Sequence, residues 1–205
     1  MNKRRQLLYA YENGNTHVEL FTCGTKIRDI PDGMPAMPEY PESIDLKITD
    51  YCEYECNYCH ESSSRAGKQA NLLALIDYLK PLNPGTEIAL GGGDPLTVGK
   101  DQLHLFLKKL SQDIGLVPNM TIKWNHKISA QLDKLTKYVD IGYLYGIGIS
   151  GTTPLHPRTY EDYPSIVHHV IAGYHKIEDI EQLPKVLILG YKRCLLYTSP
   201  SPRDS

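Results

Sequence analysis

The sequence predicts an α/β fold built on a parallel sheet, preceded by a small N-terminal β-hairpin unit. Short apolar segments typical of buried strands alternate with segments whose apolar residues recur at helical spacing. Six strands in this alternation imply right-handed crossovers and a sheet buried on both faces. We interpret this as a partial (βα)6 TIM-like barrel; an open doubly wound sheet is the alternative, because periodicity alone does not separate the two.

The six predicted strands share a run or an alternation of apolar residues. They comprise residues 44–48, 88–90, 120–125, 143–150, 166–172 and 186–189. The predicted helices comprise residues 72–79, 103–110, 129–139 and 177–183.

Residues 1–42 are predicted to stand apart from this repeat. Residues 7–11 and the alternating segment 18–22 flank the turn-prone residues 12–15, which is typical of a hairpin. Residues 30–42 contain four prolines, which neither continue a helix nor occupy a central strand, so we expect a linker. The predicted division is therefore a hairpin and linker at 1–42 and a barrel domain at 43–193.

The last twelve residues, 194–205, do not fit the repeat. They resemble the reading-frame translation of a common sequencing adapter. We expect this tail to be non-native and the natural protein to continue past about Arg193.

Composition narrows the class of protein. The chain has 205 residues, 41% of them hydrophobic, which suits one globular domain with a real core. Its formal net charge of -2, with both signs interspersed, gives no signal for nucleic-acid binding. The absence of a signal-peptide pattern and of a long apolar run predicts a cytoplasmic protein without a membrane span.

The strongest chemical signal is a group of three cysteines directly after the first predicted strand of the sheet. Cys52, Cys56 and Cys59 have the spacing C-x3-C-x2-C, which suits a metal centre better than disulfides. Three ligands leave one position of an iron-sulfur cluster open for a substrate or cofactor. The alternative is a zinc site completed by His60, although this residue is adjacent to Cys59 and would reach the same ion from a poor angle.

The cysteine motif resembles the hallmark of the radical S-adenosylmethionine (SAM) superfamily, C-x3-C-x-aromatic-C, with Tyr58 at the aromatic position. The resemblance implies that the three cysteines hold a [4Fe-4S] cluster and that Tyr58 covers the adenine of SAM. It further implies that SAM is cleaved to methionine and a 5′-deoxyadenosyl radical, which abstracts hydrogen from a substrate. An electron donor such as a flavodoxin or ferredoxin is the expected partner.

A glycine-rich segment follows the next predicted strand. Gly91, Gly92, Gly93, Asp94 and Pro95 resemble the G-G-E-P element of the same superfamily, with Asp94 in place of the usual Glu. The resemblance implies that this backbone receives the amino group of SAM. Glycines allow a close approach of backbone to a ligand, and ligands in α/β folds bind at the carboxyl edge of the sheet.

Several single residues are weaker candidates at the same edge. Asn125 and Ser150 end the third and fourth predicted strands, and by the resemblance they contact the ribose or carboxylate of SAM. Arg158 could pair with that carboxylate, or each of the three could be a cap or a solvated loop residue. His168 and His169 are expected to point to opposite faces of a strand, and Cys23 is expected to be a small buried side chain.

The sequence therefore predicts an enzyme whose radical attacks an unidentified substrate. A laterally open partial barrel favours a peptide or protein by analogy with the superfamily. Two alternatives stay open: a zinc-binding module, and a scaffold that binds the cluster or SAM without catalysis.

Overall fold

The computed structural model describes residues 6–54, 56, 59, 61–123, 128–151, 157–173 and 175–189. Tyr58, His60, Asn125 and the tail 194–205 lie outside these ranges. The described residues form two sheets, one of three strands and one of six. The strands are Leu7–Asn13 (β1), Thr16–Phe21 (β2), Lys26–Asp29 (β3), Ser43–Thr49 (β4), Glu87–Gly92 (β5), Val117–Lys123 (β6), Gly146–Ser150 (β7), Ile166–Ile171 (β8) and Val186–Leu189 (β9).

The six-stranded sheet is parallel throughout and follows the order β4-β5-β6-β7-β8-β9, so each strand pairs with the next along the chain. This confirms the predicted parallel α/β sheet. A doubly wound sheet reverses its strand order at a switch point, and this sheet does not. Within the described residues β4 and β9 remain two separate edges, so the sheet is open and is not a closed barrel.

The helices lie between consecutive strands. They are Leu72–Leu79 (α1), Lys100–Lys108 (α2), Ile128–Asp140 (α3), Pro157–Asp162 (α4) and Ile177–Ile180 (α5), with a short 3-10 helix at Pro95–Thr97 and a π-helix at Lys109–Ile114. Right-handed crossovers in a sheet of consecutive order place every connecting helix on the same face. One continuous apolar core lies there, where Ile88 and Leu90 of β5 and Phe106 of α2 are at most 1% exposed.

The opposite face of the sheet is polar. Along β6, Met120 and Ile122 are buried, whereas Asn119, Thr121 and Lys123 alternate with them and are half-buried. This alternation follows from the period of two along a strand. On the side that the helices leave uncovered, the surface of the sheet is therefore polar along β6, whereas β9 places the exposed Leu187 and Leu189 there.

The N-terminal unit is a three-stranded antiparallel sheet, in which β1 and β2 form the predicted hairpin and β3 adds a strand that the sequence did not predict. It packs at the amino end of the parallel sheet. A Cβ on Gly85, two residues before β5, would lie 2.8 Å from the Cβ of Tyr9. Lys26 of β3 forms an ion pair with Glu87 of β5, with Nζ 2.8 Å from Oε2, so an ion pair also joins the two sheets.

Two further expectations have outcomes here. Cys23 is exposed, so the prediction of a buried side chain was wrong; it lies in the turn between β2 and β3, where its thiol is 3.2 Å from the hydroxyl of Thr25. None of the helices in the described ranges combines the length and apolar character needed to cross a bilayer.

Candidate functional site

The cysteine loop, residues 50–61, leaves the carboxyl end of β4 beside the carboxyl end of β5. Cys52 is 9% exposed, Cys56 and Cys59 are half-buried, and none of the three forms a disulfide with another described cysteine. The N–H of Cys59 donates to the carbonyl of Cys56 at 3.0 Å, which turns the chain between these two residues. The three predicted ligands thus lie on one loop at the edge where ligands bind in parallel sheets.

The segment that follows the cysteine loop, residues 62–70, folds back on it. The N–H of Cys52 donates to the carbonyl of Ser64 at 3.0 Å, and the N–H of Asp50 donates to the carbonyl of Lys68 at 2.8 Å. Gly67 permits this approach, because a Cβ there would lie 2.1 Å from the carbonyl oxygen of Asp50. Backbone bonds therefore fix the first part of the loop independently of any ligand.

The glycine-rich segment contacts the cysteine loop from the other side. The N–H of Gly93 donates to the carbonyl of Thr49 at 2.6 Å, and that of Asp94 donates to the carbonyl of Tyr51 at 2.8 Å. Gly92 has a φ of 113° and a Cβ there would lie 2.3 Å from the carbonyl oxygen of Thr49, so only glycine fits. The sequence assigned these glycines to the approach of a ligand, whereas Gly92 and Gly93 serve first to bring the two loops together.

Gly91 is different from its two neighbours. A Cβ at Gly91 would meet no atom within 4 Å. Gly91 pairs in register with Lys47 and alternates with the buried Leu90, so it faces the polar side of the sheet. Of the three glycines, Gly91 is thus the one with open space in front of it.

Asp94 closes the glycine-rich segment and is 8% exposed. Its Oδ1 accepts a hydrogen bond from the N–H of Leu96 at 3.1 Å, and its carbonyl accepts one from the hydroxyl of Thr97 at 2.7 Å. These bonds cap the 3-10 helix that begins at Pro95. Burial raises the pKa of the Asp94 carboxyl above its usual value.

Three polar residues lie side by side at the carboxyl ends of β6, β7 and β8. Ser150 of β7 pairs in register with Lys123 of β6 and with His169 of β8. The imidazole of His169 lies over Gly148, where a Cβ would be 2.6 Å from its Nε2. Burial lowers the pKa of His169, which favours the neutral ring. Ser150 is therefore at the predicted edge, next to a histidine that the sequence left undecided.

His168 points to the opposite face, as the strand alternation predicted, and is fully buried. Its Nδ1 is 3.1 Å from the hydroxyl of Tyr160. The ring lies within the helix layer and does not reach the polar face. Arg158 belongs to α4 and is exposed.

The chain has two distant relatives among curated proteins. It is 28% identical to the GTP 3',8-cyclase of Haemophilus ducreyi (strain 35000HP / ATCC 700724) over 159 residues, which are 72% of this chain and 41% of the relative. It is 26% identical to a putative L-lysine 2,3-aminomutase of Aquifex aeolicus (strain VF5) over 78 residues, 36% of this chain and 21% of the relative. No family model matches the chain, and no solved structure matches it.

These matches cover less than half the length of either relative. Both relatives are radical SAM proteins, and this distant similarity supports the same general class for the chain.

The donor set of the cysteine loop fits an iron-sulfur cluster in its chemistry, because three thiols share one loop. Among the described residues, no three Cys, His, Asp or Glu side chains are arranged to hold a metal ion.

Proposed function

We propose that this chain forms the cofactor-binding part of a radical SAM enzyme, with Cys52, Cys56 and Cys59 as the ligands of a [4Fe-4S] cluster. The observation that carries the proposal is the direct contact between two motif-bearing loops. The segment Gly91 to Pro95 donates backbone hydrogen bonds to Thr49 at the end of β4 and to Tyr51 in the cysteine loop, at the carboxyl ends of adjacent parallel strands. Two motifs in loops that meet at one edge of the sheet support the proposal more strongly than either motif alone.

The cofactors would supply the radical chemistry: an electron from the cluster breaks a C–S bond of SAM bound at the open iron, giving methionine and a 5′-deoxyadenosyl radical. The chain's own residues would bind the cluster and SAM and orient them. Gly91 leaves room for the amino acid part of SAM against the backbone of β5. Ser150 offers a hydroxyl at the end of β7, and Tyr58 and Asn125 complete the set that the superfamily resemblance implies.

We further propose that the open sheet is a partial (βα)6 barrel whose polar face is its interior. The uncovered side chains at the ends of β6, β7 and β8 would then line the space where a substrate meets the radical. Lateral openness of such a sheet admits a large substrate, which favours a peptide or protein. A cytoplasmic location and an electron donor such as a flavodoxin or ferredoxin agree with this chemistry.

The test is anaerobic reconstitution of the purified chain with iron and sulfide, followed by iron counting, electron paramagnetic resonance after reduction, and assay of 5′-deoxyadenosine released from SAM. We expect about four iron atoms per chain and 5′-deoxyadenosine above the background without protein. Cys56→Ala should lose both, because two thiolates do not retain the cluster. Cys23→Ala is the matched control, since Cys23 is an exposed cysteine outside the motif.

Two results would redirect the assignment. Stoichiometric zinc that survives air, with no iron uptake, would favour the zinc-binding module. A cluster with no release of 5′-deoxyadenosine would favour a scaffold that binds without catalysis. Iron retained by Cys56→Ala at the wild-type level would remove the proposed ligand set.

A further inference from the structure

Lys47 is a charged residue on the polar face of β4 that the proposed function does not use. It lies five residues before Cys52 and pairs in register with Gly91. Its stem passes the glycine-rich segment, where a Cβ on Gly92 would lie 2.8 Å from the Cγ of Lys47. The side chain thus occupies the space between β4 and the two loops of the site.

The ammonium group of Lys47 contacts both ends of the cysteine loop. Nζ is 2.5 Å from Oδ1 of Asp50 and 3.0 Å from Oε2 of Glu61. Asp50 precedes Cys52 by two residues, and Glu61 follows Cys59 by two residues. One cation therefore joins the two residues between which all three motif cysteines lie.

The charges of Lys47, Asp50 and Glu61 favour their contact. The hydrogen bonds to Asp50 and then to Glu61 raise the pKa of Lys47, so its ammonium stays protonated at neutral pH. Without Lys47, two carboxylates would flank thiols that must themselves become thiolates to bind iron. Like charges gathered on one short loop repel each other, and a cation between them opposes the opening of the loop.

The expected effect is on local order and not on the stability of the whole fold. The side chains of Lys47, Asp50 and Glu61 are 40%, 54% and 31% exposed. Ion pairs this accessible are screened by water and salt and contribute little to global unfolding. They can still contribute to holding the loop ends together, because local opening costs far less than unfolding.

We propose that Lys47 is a positioning residue that joins the two ends of the cysteine loop by binding Asp50 and Glu61 together, and so limits the opening of the segment that carries Cys52, Cys56 and Cys59. The importance of this role for cluster assembly rests on the proposed function. The loop closure itself is a property of the chain without iron. The two can therefore fail separately.

The first measurement uses the iron-free chain, in a Cys23→Ala/Cys194→Ala background that leaves only the three motif thiols. Their rate of reaction with a neutral alkylating reagent, divided by the thiolate fraction measured in each variant, reports opening of the loop. Lys47→Met should raise this rate about two- to fivefold at low salt, in line with the strength of exposed ion pairs. In 1 M salt the Debye length falls to about 3 Å, against about 30 Å at 0.01 M, so the difference should largely disappear.

Three further variants separate this role from a general structural one. Lys47→Arg keeps a cation and should return the alkylation rate close to that of wild type. Glu61→Gln removes one partner while Lys47 stays, and should raise the rate by less than Lys47→Met does. Lys80→Met is the matched control, because Lys80 binds Asp77 at 2.6 Å on α1, away from the cysteine loop.

The second measurement is the rate at which an iron chelator removes iron from the reconstituted protein, which should rise in Lys47→Met and recover in Lys47→Arg. Unchanged alkylation in Lys47→Met, or equal acceleration by Lys80→Met, would overturn the proposal. A wild-type chain that takes up no iron would defeat the proposed function, while the alkylation rates would still decide whether Lys47 closes the loop.

Discussion

A side chain on Gly93 would collide with the backbone of Tyr51, since a Cβ there would lie 2.0 Å from the Tyr51 carbonyl oxygen. Tyr51 is the residue directly before the first motif cysteine. The same two loops are joined by the hydrogen bond from the N–H of Asp94 to this carbonyl. The position of the cysteine loop therefore depends on the absence of a side chain one strand away.

We expect Gly93→Ala to lower the free energy of unfolding by about 1–3 kcal/mol, because backbone must shift to make room for the methyl group. Gly91→Ala is the control, since its Cβ would meet nothing within 4 Å. It should fold with nearly wild-type stability in urea titrations, yet weaken SAM binding if the proposed function holds. Equal stability of the two variants would contradict the contact described here.

A second prediction concerns Asp94, whose hydrogen bond stabilises the fold while its buried charge destabilises it. Asp94→Ala removes the acceptor of the Leu96 N–H and should cost about 1 kcal/mol, the usual value of a lost cap. Asp94→Asn keeps an oxygen acceptor and removes a buried charge, so it should be at least as stable as wild type at pH 7.

The raised pKa of Asp94 also makes the stability of the fold depend on pH. Burial raises the pKa of Asp94 in the folded protein, so the fold binds a proton more readily than the unfolded chain does. The wild type should therefore gain stability relative to Asp94→Asn as the pH falls through the raised pKa toward the ordinary value of 3.8. Urea titrations of both proteins at several pH values measure this, and a constant difference would argue against it.

The elements that the sequence predicted are those with a clear apolar period. Each predicted strand of the parallel sheet is present, and α1 matches its predicted bounds at Leu72–Leu79. β3 was missed because Lys26–Asp29 contains one apolar residue; pairing with β2 and the ion pair from Arg28 to Glu42 at 2.7 Å hold it instead. α4 has no apolar period either, and Tyr160 is its buried contact with the core.

The site shows the same division between local and non-local information. The spacing of Cys52, Cys56 and Cys59 is visible in the sequence, and the strand alternation correctly separated His168 from His169. The partners of Lys47 were not predicted, since a lysine in an alternating strand looks like an ordinary solvent-facing residue. Asp50 and Glu61 on the two sides of the cysteine motif are visible in the sequence, and such a pair of acidic residues indicates a cation that contacts both.

The proline-rich segment gives the third prediction, because one buried side chain fixes it to the hairpin. Asn13 is 1% exposed, and its Oδ1 accepts from the N–H groups of Glu39 and Tyr40 at 3.0 and 2.9 Å. Its Nδ2 donates to the carbonyl of Tyr40 at 2.8 Å. A segment predicted as a linker is thus bound by three hydrogen bonds to one residue.

We expect Asn13→Ala to lower the free energy of unfolding by about 2–3 kcal/mol, because it strands buried backbone groups. Asn15→Ala serves as the comparison: Asn15 also binds this segment, at Pro35 and Met37, but through bonds accessible to water. Its loss should cost about 1 kcal/mol or less. Chemical denaturation measures both, and a larger loss in Asn15→Ala would refute the ranking.

The last prediction concerns His168, whose environment makes the fold sensitive to acid. The residue is 0% exposed, and its Nε2 has no hydrogen-bond partner among the described residues. Burial lowers its pKa from 6.5 to about 4, with smaller effects from His175 and His169. Between these values the unfolded chain binds a proton that the folded chain does not, so stability falls as the pH falls from about 6.5 to about 4.

For a shift of this size, one histidine accounts for a loss of about 2 kcal/mol between pH 7.5 and 5.0. His168→Asn removes the titrating group, so its free energy of unfolding should fall less steeply over this interval, even if it is lower at pH 7.5. His169→Asn is the comparison: burial also lowers the pKa of His169, so this variant measures how much a second histidine of the same strand contributes to the slope. If urea titrations give His168→Asn the same slope as wild type, the acid sensitivity of the fold has another source.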